Sequence, residues 1–143
     1  MALSLNTVWD RLKSVGREPF PIPLDRSISE VMVTREFLSH HYGGNPQETL
    51  PSISAKRVAI HGINDFMFPN LDFNPHAPEV PGAPGLFFEA QGCPADDWPK
   101  VQRVITRIDS GRWLYIGQYQ MTPNPSLTKE EWVEQSILVS LSL

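Results

Sequence analysis

The side chains best suited to chemistry in this sequence are one cysteine and two separated histidines. Cys93 would be a nucleophile if the imidazole of His61 or His76 lay beside it and accepted its proton. The same histidines could bind a metal ion with Asp65 or Asp72, although nothing in their spacing requires it. A lone loop cysteine without an activating base is usually inert. A small Cys/His hydrolase is therefore the least favoured interpretation, and no catalytic or metal-binding residue is assigned.

Other patterns typical of enzymes are missing from the sequence. It contains no P-loop, no GxGxxG, no GxSxG and no HExxH motif. Asp96 and Asp97 form an adjacent carboxylate pair beside Trp98, but neighbouring carboxylates in a polar loop are usually solvated. A glycoside hydrolase needs two carboxylates that converge across a cleft. These observations favour a protein without catalytic activity and predict no cofactor.

A different group of side chains has the chemistry of a nucleic-acid interface. Three basic and three aromatic residues fall in one predicted hairpin: Arg103, Arg107, Arg112, Trp113, Tyr115 and Tyr119. Arg103 and Arg107 are four residues apart and share a strand face. Small sheets with basic and aromatic side chains hold and stack nucleic-acid strands. The alternative is that the arginines solvate the outer sheet face while the rings form the core.

The predicted hairpin runs from Val101 to Met121 and positions all six residues. In its second arm, alternation predicts five side chains on one face: Trp113, Tyr115, Gly117, Tyr119 and Met121. The joining residues, 109–112, have the composition of a short hairpin loop. Gly111 is expected to take the positive φ that such a loop requires.

A second regular spacing is formed by prolines, which repeat every three residues at Pro75, Pro78, Pro81 and Pro84. A polyproline II helix also repeats every three residues, so the four rings are predicted to line one edge. Such a strap could pack on the domain's own aromatic residues or bind an SH3- or WW-type partner. No basic residue flanks it at the usual distance, so packing is favoured and partner binding stays the alternative.

Capping residues and periodicity predict the remaining helices. One is expected from Asn6 to about Val15, and another opens at Thr34 and ends at a pair of glycines. A third is expected over residues 129–135, because Thr128 and Glu131 have the spacing of a capping box.

Short strands are predicted at Ala55–Ile60 and Leu86–Ala90, and one helical turn at residues 64–68. The alternating tail, residues 137–143, could add an edge strand. Because helices dominate early and strands later, we predict an α+β fold. Its architecture would be a small curved antiparallel sheet or a partly open β-barrel, with peripheral helices and long proline-rich loops.

Composition sets the class of protein. A chain of 143 residues suits one domain, and a net charge of -4 disfavours nucleic-acid binding through bulk charge. Its single cysteine excludes an internal disulfide and suits a reducing compartment, so we expect an intracellular protein of the cytoplasm or nucleus. No apolar run approaches the roughly 18 residues of a membrane helix, and no secretion signal is expected at the start.

Three stretches together resemble a known family: residues 33–44 (VTREFLSHHYGG), 68–88 (FPNLDFNPHAPEVPGAPGLFF) and 111–132 (from GRWLYIGQYQM to LTKEEW). Over roughly Val31 to Gln135 the chain is similar to an uncharacterised domain-of-unknown-function family of mushroom-forming fungi. That family has no assigned catalytic or binding residues, so the resemblance implies none here. At the level of fold alone, the ending is similar to PUA-like and SRA-like β-barrels that read modified bases.

We therefore predict a single domain over residues 1–143. It divides into an N-terminal helix with a separate proline strap at residues 19–23 (1–26), a family-like core (27–136) and an atypical C-terminal tail (137–143). The favoured function is a non-catalytic recognition module for DNA, RNA or a modified base. The alternative is a protein-interaction module that uses the proline strap at residues 75–84. Neither interpretation includes binding to a membrane. An exposed aromatic face would favour a homodimer.

Overall fold

The structure is a computed structural model that describes residues 3–13, 19, 25–88, 100–122 and 127–131. Its elements, in chain order, are α1 (Leu5–Arg11), α2 (Arg26–Ser29), β1 (Met32–Val33), α3 (Arg35–Tyr42), α4 (Ala55–His61), β2 (Phe66–Met67), β3 (Lys100–Asp109) and β4 (Arg112–Met121). Among these residues no helix is both long enough and apolar enough to span a bilayer.

The strands form one open sheet in the order β1-β4-β3-β2. The central pair, β3 and β4, is antiparallel, as is β1 with β4, whereas β2 runs parallel to β3. The predicted α+β fold with a small sheet is confirmed. The sheet is mixed rather than wholly antiparallel, and it does not close into a barrel.

The predicted hairpin is confirmed, and Gly111 at its tip has a φ of 67°. Its regular alternation is interrupted, however. Val104 pairs with Gly117 and Ile105 pairs with Tyr115, so Ile116 is an extra, bulged residue. An inserted residue reverses the side-chain alternation beyond it. The prediction that five side chains of this arm share one face was therefore wrong.

The bulge divides those side chains between two cores. Trp113 packs in the first core with five other buried residues: Leu38, Ile53, Phe66, Phe68 and Ile105. The second core contains Met67, Val104, Leu114 and Ile116, with Tyr119 and Met121 packed against it. The two sets alternate along β2 and β3, so they lie on opposite faces of the sheet. Residues of α3 and α4 cover the first face, and Phe87 contributes to the second.

Local capping fixes the helices on the first face. The hydroxyl of Thr34 accepts a hydrogen bond from the backbone N–H of Phe37, and α3 ends at Gly43, as predicted. The strand predicted at Ala55–Ile60 was wrong, because this stretch is α4. Ser54 caps α4 at its start and Gly62, with a φ of 73°, ends it. These two caps favour a helix more strongly than the β-branched residues Val58 and Ile60 favour a strand.

Two further predictions about local structure were wrong for tertiary reasons. Residues 64–68 contain strand β2 instead of a helical turn, since Phe66 and Phe68 enter one core while Met67 enters the other. Residues 86–88 form no strand; the N–H of Leu86 donates to the carbonyl of His76 at 2.7 Å. The rest of that predicted strand lies outside the described residues.

The two ends of the described chain meet in a third core. Leu3, Val8 and Leu12 are buried there, and Leu86, Phe88 and Leu127 pack against them. Helix α1 begins two residues earlier than predicted, because Ser4 and not Asn6 is its cap. The predicted capping box is confirmed near the other end. The N–H of Thr128 donates to Oε1 of Glu131 at 2.8 Å, and the N–H of Glu131 donates to Oγ1 of Thr128 at 3.2 Å.

Candidate functional site

Arg103 joins β3 to the start of β2. Its Nη1 lies 2.7 Å from Oδ1 of Asp65, and its backbone N–H donates to the carbonyl of the same aspartate at 2.7 Å. The two side chains are 30% and 33% exposed. Because the guanidinium is paired and half-buried, it holds the sheet edge and presents little free charge to a ligand.

Arg107 plays the same part at the end of β2. Its Nη1 lies 2.9 Å from Oδ2 of Asp72 and 3.5 Å from Oδ1 of Asn70, while its N–H donates to the carbonyl of Pro69 at 2.9 Å. The odd-numbered positions of β3 place both arginines on the predicted common face. On that face they bracket β2, and each meets a carboxylate from the β2 region.

The other four residues of the predicted nucleic-acid site are dispersed. Trp113 is buried, with its ring 5.8 Å from that of Phe68. The hydroxyl of Tyr119 donates to the carbonyl of Ala83 at 2.8 Å, and burial raises the pKa of Tyr119 to about 12. Only Arg112 and Tyr115 are exposed.

Those two exposed residues are three positions apart on β4, before the bulge. Strand alternation therefore directs Arg112 and Tyr115 to opposite sides of the hairpin. The six predicted residues do not assemble one basic and aromatic surface.

The residue that sequence reasoning missed is Arg35, which is only 6% exposed. Its Nη2 donates to the carbonyls of Asn45 and Glu48 at 2.9 and 2.7 Å, and its guanidinium carbon lies 3.6 Å from the ring centroid of Phe68. Burial lowers the pKa of Arg35 to about 10. The two hydrogen bonds anchor the loop after α3, and the cation–π contact joins Arg35 to the first core. Nothing in the local sequence distinguishes this arginine from a solvated one.

The proline segment packs on the second face of the sheet. Thr106 donates its hydroxyl to the carbonyl of Pro78 at 2.7 Å, and the N–H of Gly82 donates to the carbonyl of Ile116 at 3.0 Å. Each of the four prolines, Pro75, Pro78, Pro81 and Pro84, is half-buried. Much of this segment is therefore engaged within its own domain.

The segment is folded into turns. The N–H of Ala77 donates to the carbonyl of Asn74, that of Ala83 to Val80, and that of Leu86 to His76. A polyproline II helix has no internal hydrogen bonds. The prediction that all four prolines line one edge of such a helix was wrong, because the chain closes back on itself at His76.

The histidines proposed for chemistry have separate structural partners. Nδ1 of His61 accepts from the N–H of Ile63 at 3.1 Å, so Nε2 carries the proton that is donated to the carbonyl of Tyr42 at 2.8 Å. Nε2 of His76 accepts from the N–H of Leu3 at 2.8 Å. No group of three metal-ligating side chains occurs in the part of the chain that the structure describes. Cys93 and residues 96–98 lie outside it.

An apolar pocket opens beside strand β1 on the first face of the sheet. Its volume is about 310 Å³, and its lining comprises Ser27, Val31, Val33, Leu38, Ile105 and Tyr115. Leu38 and Ile105 are buried, whereas Val31 and Tyr115 are 53% and 40% exposed. Leu38 and Ile105 belong to the first core and form the base of the pocket, whereas Val31 and Tyr115 form its rim. We call this site the β1 pocket.

Residues 32–141 match the family described as Domain of unknown function (DUF6697). The chain belongs to this family. The predicted membership of an uncharacterised domain family is thus confirmed. The DUF6697 region contains the whole sheet and the proline segment, and α1 and α2 precede it. It also includes residues 137–141, most of the predicted atypical tail. No curated protein and no solved structure matches the chain.

Proposed function

We propose that this DUF6697 protein is a non-catalytic recognition module that binds a segment of another protein through the β1 pocket. The observation that carries the proposal is the pocket itself, with a buried apolar base and two exposed apolar residues at its rim. Concave sites with mostly apolar linings are the usual places where proteins bind side chains and small ligands. The interaction differs from the predicted proline-strap mode, since the strap packs on its own sheet.

The position of β1 indicates how a partner would bind. Strand β1 is at the edge of the sheet, and within the described ranges it pairs on one side only, with β4. An extended peptide can align with such an edge and direct alternate side chains to one face. A volume of about 310 Å³ is at the small end for ligand pockets, which suits one or two apolar side chains.

Charge favours a protein partner over nucleic acid. Arg103 and Arg107 are each paired with an aspartate, and the whole chain carries a net charge of -4. Nucleic-acid binding depends on several free basic side chains that neutralise phosphates. The alternative, a module for nucleic acid or a modified base, is supported by Arg112, which is exposed at the hairpin tip. The expected fungal origin, the fold-level likeness to PUA-like and SRA-like barrels and the intracellular location stay predictions.

A peptide selection tests the proposal. The full chain is used to select binders from a displayed random peptide library, and the enriched peptides are titrated by fluorescence anisotropy. We expect them to share a large apolar residue. Val31→Asp should weaken their binding by at least about tenfold, because a carboxylate at the rim loses hydration when the peptide binds.

Val80→Asp is the matched control for this substitution. Val80 lies in the proline segment and is 50% exposed, against 53% for Val31, so both changes place a carboxylate on the surface. The control should leave peptide affinity unchanged. Equal peptide affinity for the Val31→Asp chain would overturn the proposal. Binding of labelled DNA or RNA with a steep salt dependence, in the absence of peptide binding, would favour the nucleic-acid alternative.

A further inference from the structure

Helix α1 is an unusual part of this molecule because it lies before the family region but packs on it. The DUF6697 match begins at residue 32, whereas α1 covers Leu5–Arg11. A seven-residue helix is too short to be stable alone, since isolated helices below about 12–15 residues are marginal in water. The helical structure of α1 therefore depends on the surface beneath it.

That surface consists of apolar side chains of the family region, and we call it the groove. Leu86, Phe88 and Leu127 line it. Val8 and Leu12, one helical turn apart, are 6% and 5% exposed against these residues. Two anchors at positions i and i+4 are the pattern with which amphipathic helices fill grooves on partner proteins.

Polar contacts fix the helix at both ends of the groove. Nε and Nη2 of Arg11 donate to the two carboxylate oxygens of Glu131 at 2.9 and 2.6 Å. The two side chains are 14% and 12% exposed. At the other end, the N–H of Leu3 donates to Nε2 of His76 at 2.8 Å. A bidentate guanidinium–carboxylate pair adds geometric specificity to the apolar contact.

We propose that this groove is a docking site for short amphipathic helices of a partner protein, and that α1 is its intramolecular occupant. The partner helix would carry two apolar anchors one turn apart and an arginine directly before the second anchor. It would displace α1 and place its own guanidinium on Glu131. The groove shares no residue with the β1 pocket, so this second interaction surface is independent of the proposed function.

A peptide that copies α1 is the probe. Residues 3–13 are synthesised with an acetylated N-terminus, which preserves the N–H of Leu3, and with a fluorescent label at the other end. The peptide is titrated into the full wild-type chain and into the Arg11→Gln chain. That substitution removes the ion pair with Glu131 and replaces no residue of the groove. We expect about tenfold tighter binding to the variant, since more of its grooves are open.

Three controls identify the contacts. Arg26→Gln breaks an exposed ion pair with Glu30 outside the groove and should bind the peptide as wild type does. Glu131→Gln loosens the internal helix but also removes the carboxylate, so it should bind more weakly than Arg11→Gln. A peptide with Leu5→Gln should retain affinity because Leu5 is 65% exposed.

Two results would overturn the proposal: equal peptide affinity for the wild-type and Arg11→Gln chains, or no binding to either chain at millimolar peptide. Val8→Ala provides a second way to weaken α1 without changing the groove, and it must also increase peptide affinity. Hydrogen exchange gives an independent readout in the wild-type chain. Saturating unlabelled peptide should reduce the protection of the α1 amides, whereas unchanged protection would show that α1 is not displaced.

Discussion

Replacing Arg103 and Arg107 together by alanine separates a structural role for these residues from a ligand-binding role. If they form a nucleic-acid surface, the double variant should lose binding and keep its stability. The structure predicts the opposite result. Each guanidinium holds an aspartate from the β2 region, so both alanines should weaken the attachment of β2 to β3.

The expected loss of stability follows from the exposure of the two ion pairs. The Arg103–Asp65 pair is about two-thirds buried on both sides, and we assign it about 1 kcal/mol. In the other pair, Asp72 is 77% exposed, which reduces its value to about 0.5 kcal/mol. Lost packing of the aliphatic stems brings the total to about 1–2 kcal/mol. For a chain of this size, that lowers Tm by about 3–6 °C.

The assay combines urea unfolding with hydrogen exchange. Exchange should accelerate most at the amides of Phe66 and Met67, which form β2. The control is Arg26→Ala with Arg112→Ala, which removes the same charge. Arg112 is exposed and the Arg26 side chain is 88% exposed, so the control should lose less than about 0.5 kcal/mol.

The reasoning would be refuted if the two double variants had equal stability and equal exchange in β2. Loss of nucleic-acid binding by the Arg103/Arg107 variant at unchanged stability would assign these side chains to a ligand. If both stability and binding are lost, single substitutions at Asp65 separate the two roles. They weaken the attachment of β2 but leave both arginines in place.

Two further predictions concern the proline segment. Burial lowers the pKa of His76, so the unfolded chain binds a proton more readily; stability should therefore fall as pH drops below about 6.5, the ordinary histidine value. Urea unfolding across about pH 5–8 should show this loss, and His76→Gln should reduce it; an equal pH dependence in the variant would contradict the assignment. Gly85→Ala should destabilise the fold by about 3 kcal/mol, because its Cβ would lie 2.5 Å from Pro78 and 2.7 Å from the carbonyl of His76. Gly62→Ala meets no atom within 4 Å but has a φ of 73°, so it should cost only about 1 kcal/mol; equal losses in thermal denaturation would count against the close contact at Gly85.

The features that sequence predicted well are those determined by neighbouring residues. The hairpin needs only two alternating arms and a glycine that can adopt positive φ at residue 111. Helix α3 needs Thr34 and Gly43, and the capping box needs Thr128 and Glu131. The decisive hydrogen bonds of the helix and of the capping box join residues at most four positions apart, and the two arms of the hairpin are adjacent in the chain. The strand predicted over α4 shows the converse, since β-branched residues were given more weight than the caps at Ser54 and Gly62.

The features that sequence did not predict depend on distant residues. The bulge at Ile116 is defined by its register with β3, and it decides which rings of β4 enter which core. The proline spacing fits a polyproline II helix, but tertiary contacts fold the segment into turns. Arg35 is buried because loop carbonyls ten and thirteen residues further along the chain accept its protons. None of these relations produces a local pattern.

The candidate site shows that a local pattern does not include the distant partners of its side chains. Arginines alternating with aromatic residues fit a nucleic-acid surface when only the hairpin is considered. Their aspartate partners, Asp65 and Asp72, are 38 and 35 residues away in the chain. The composition shows only that acidic side chains outnumber basic ones, 16 to 12, so carboxylate partners for arginines are available. Net charge and these two ion pairs are therefore the reasons to test protein partners before nucleic acid.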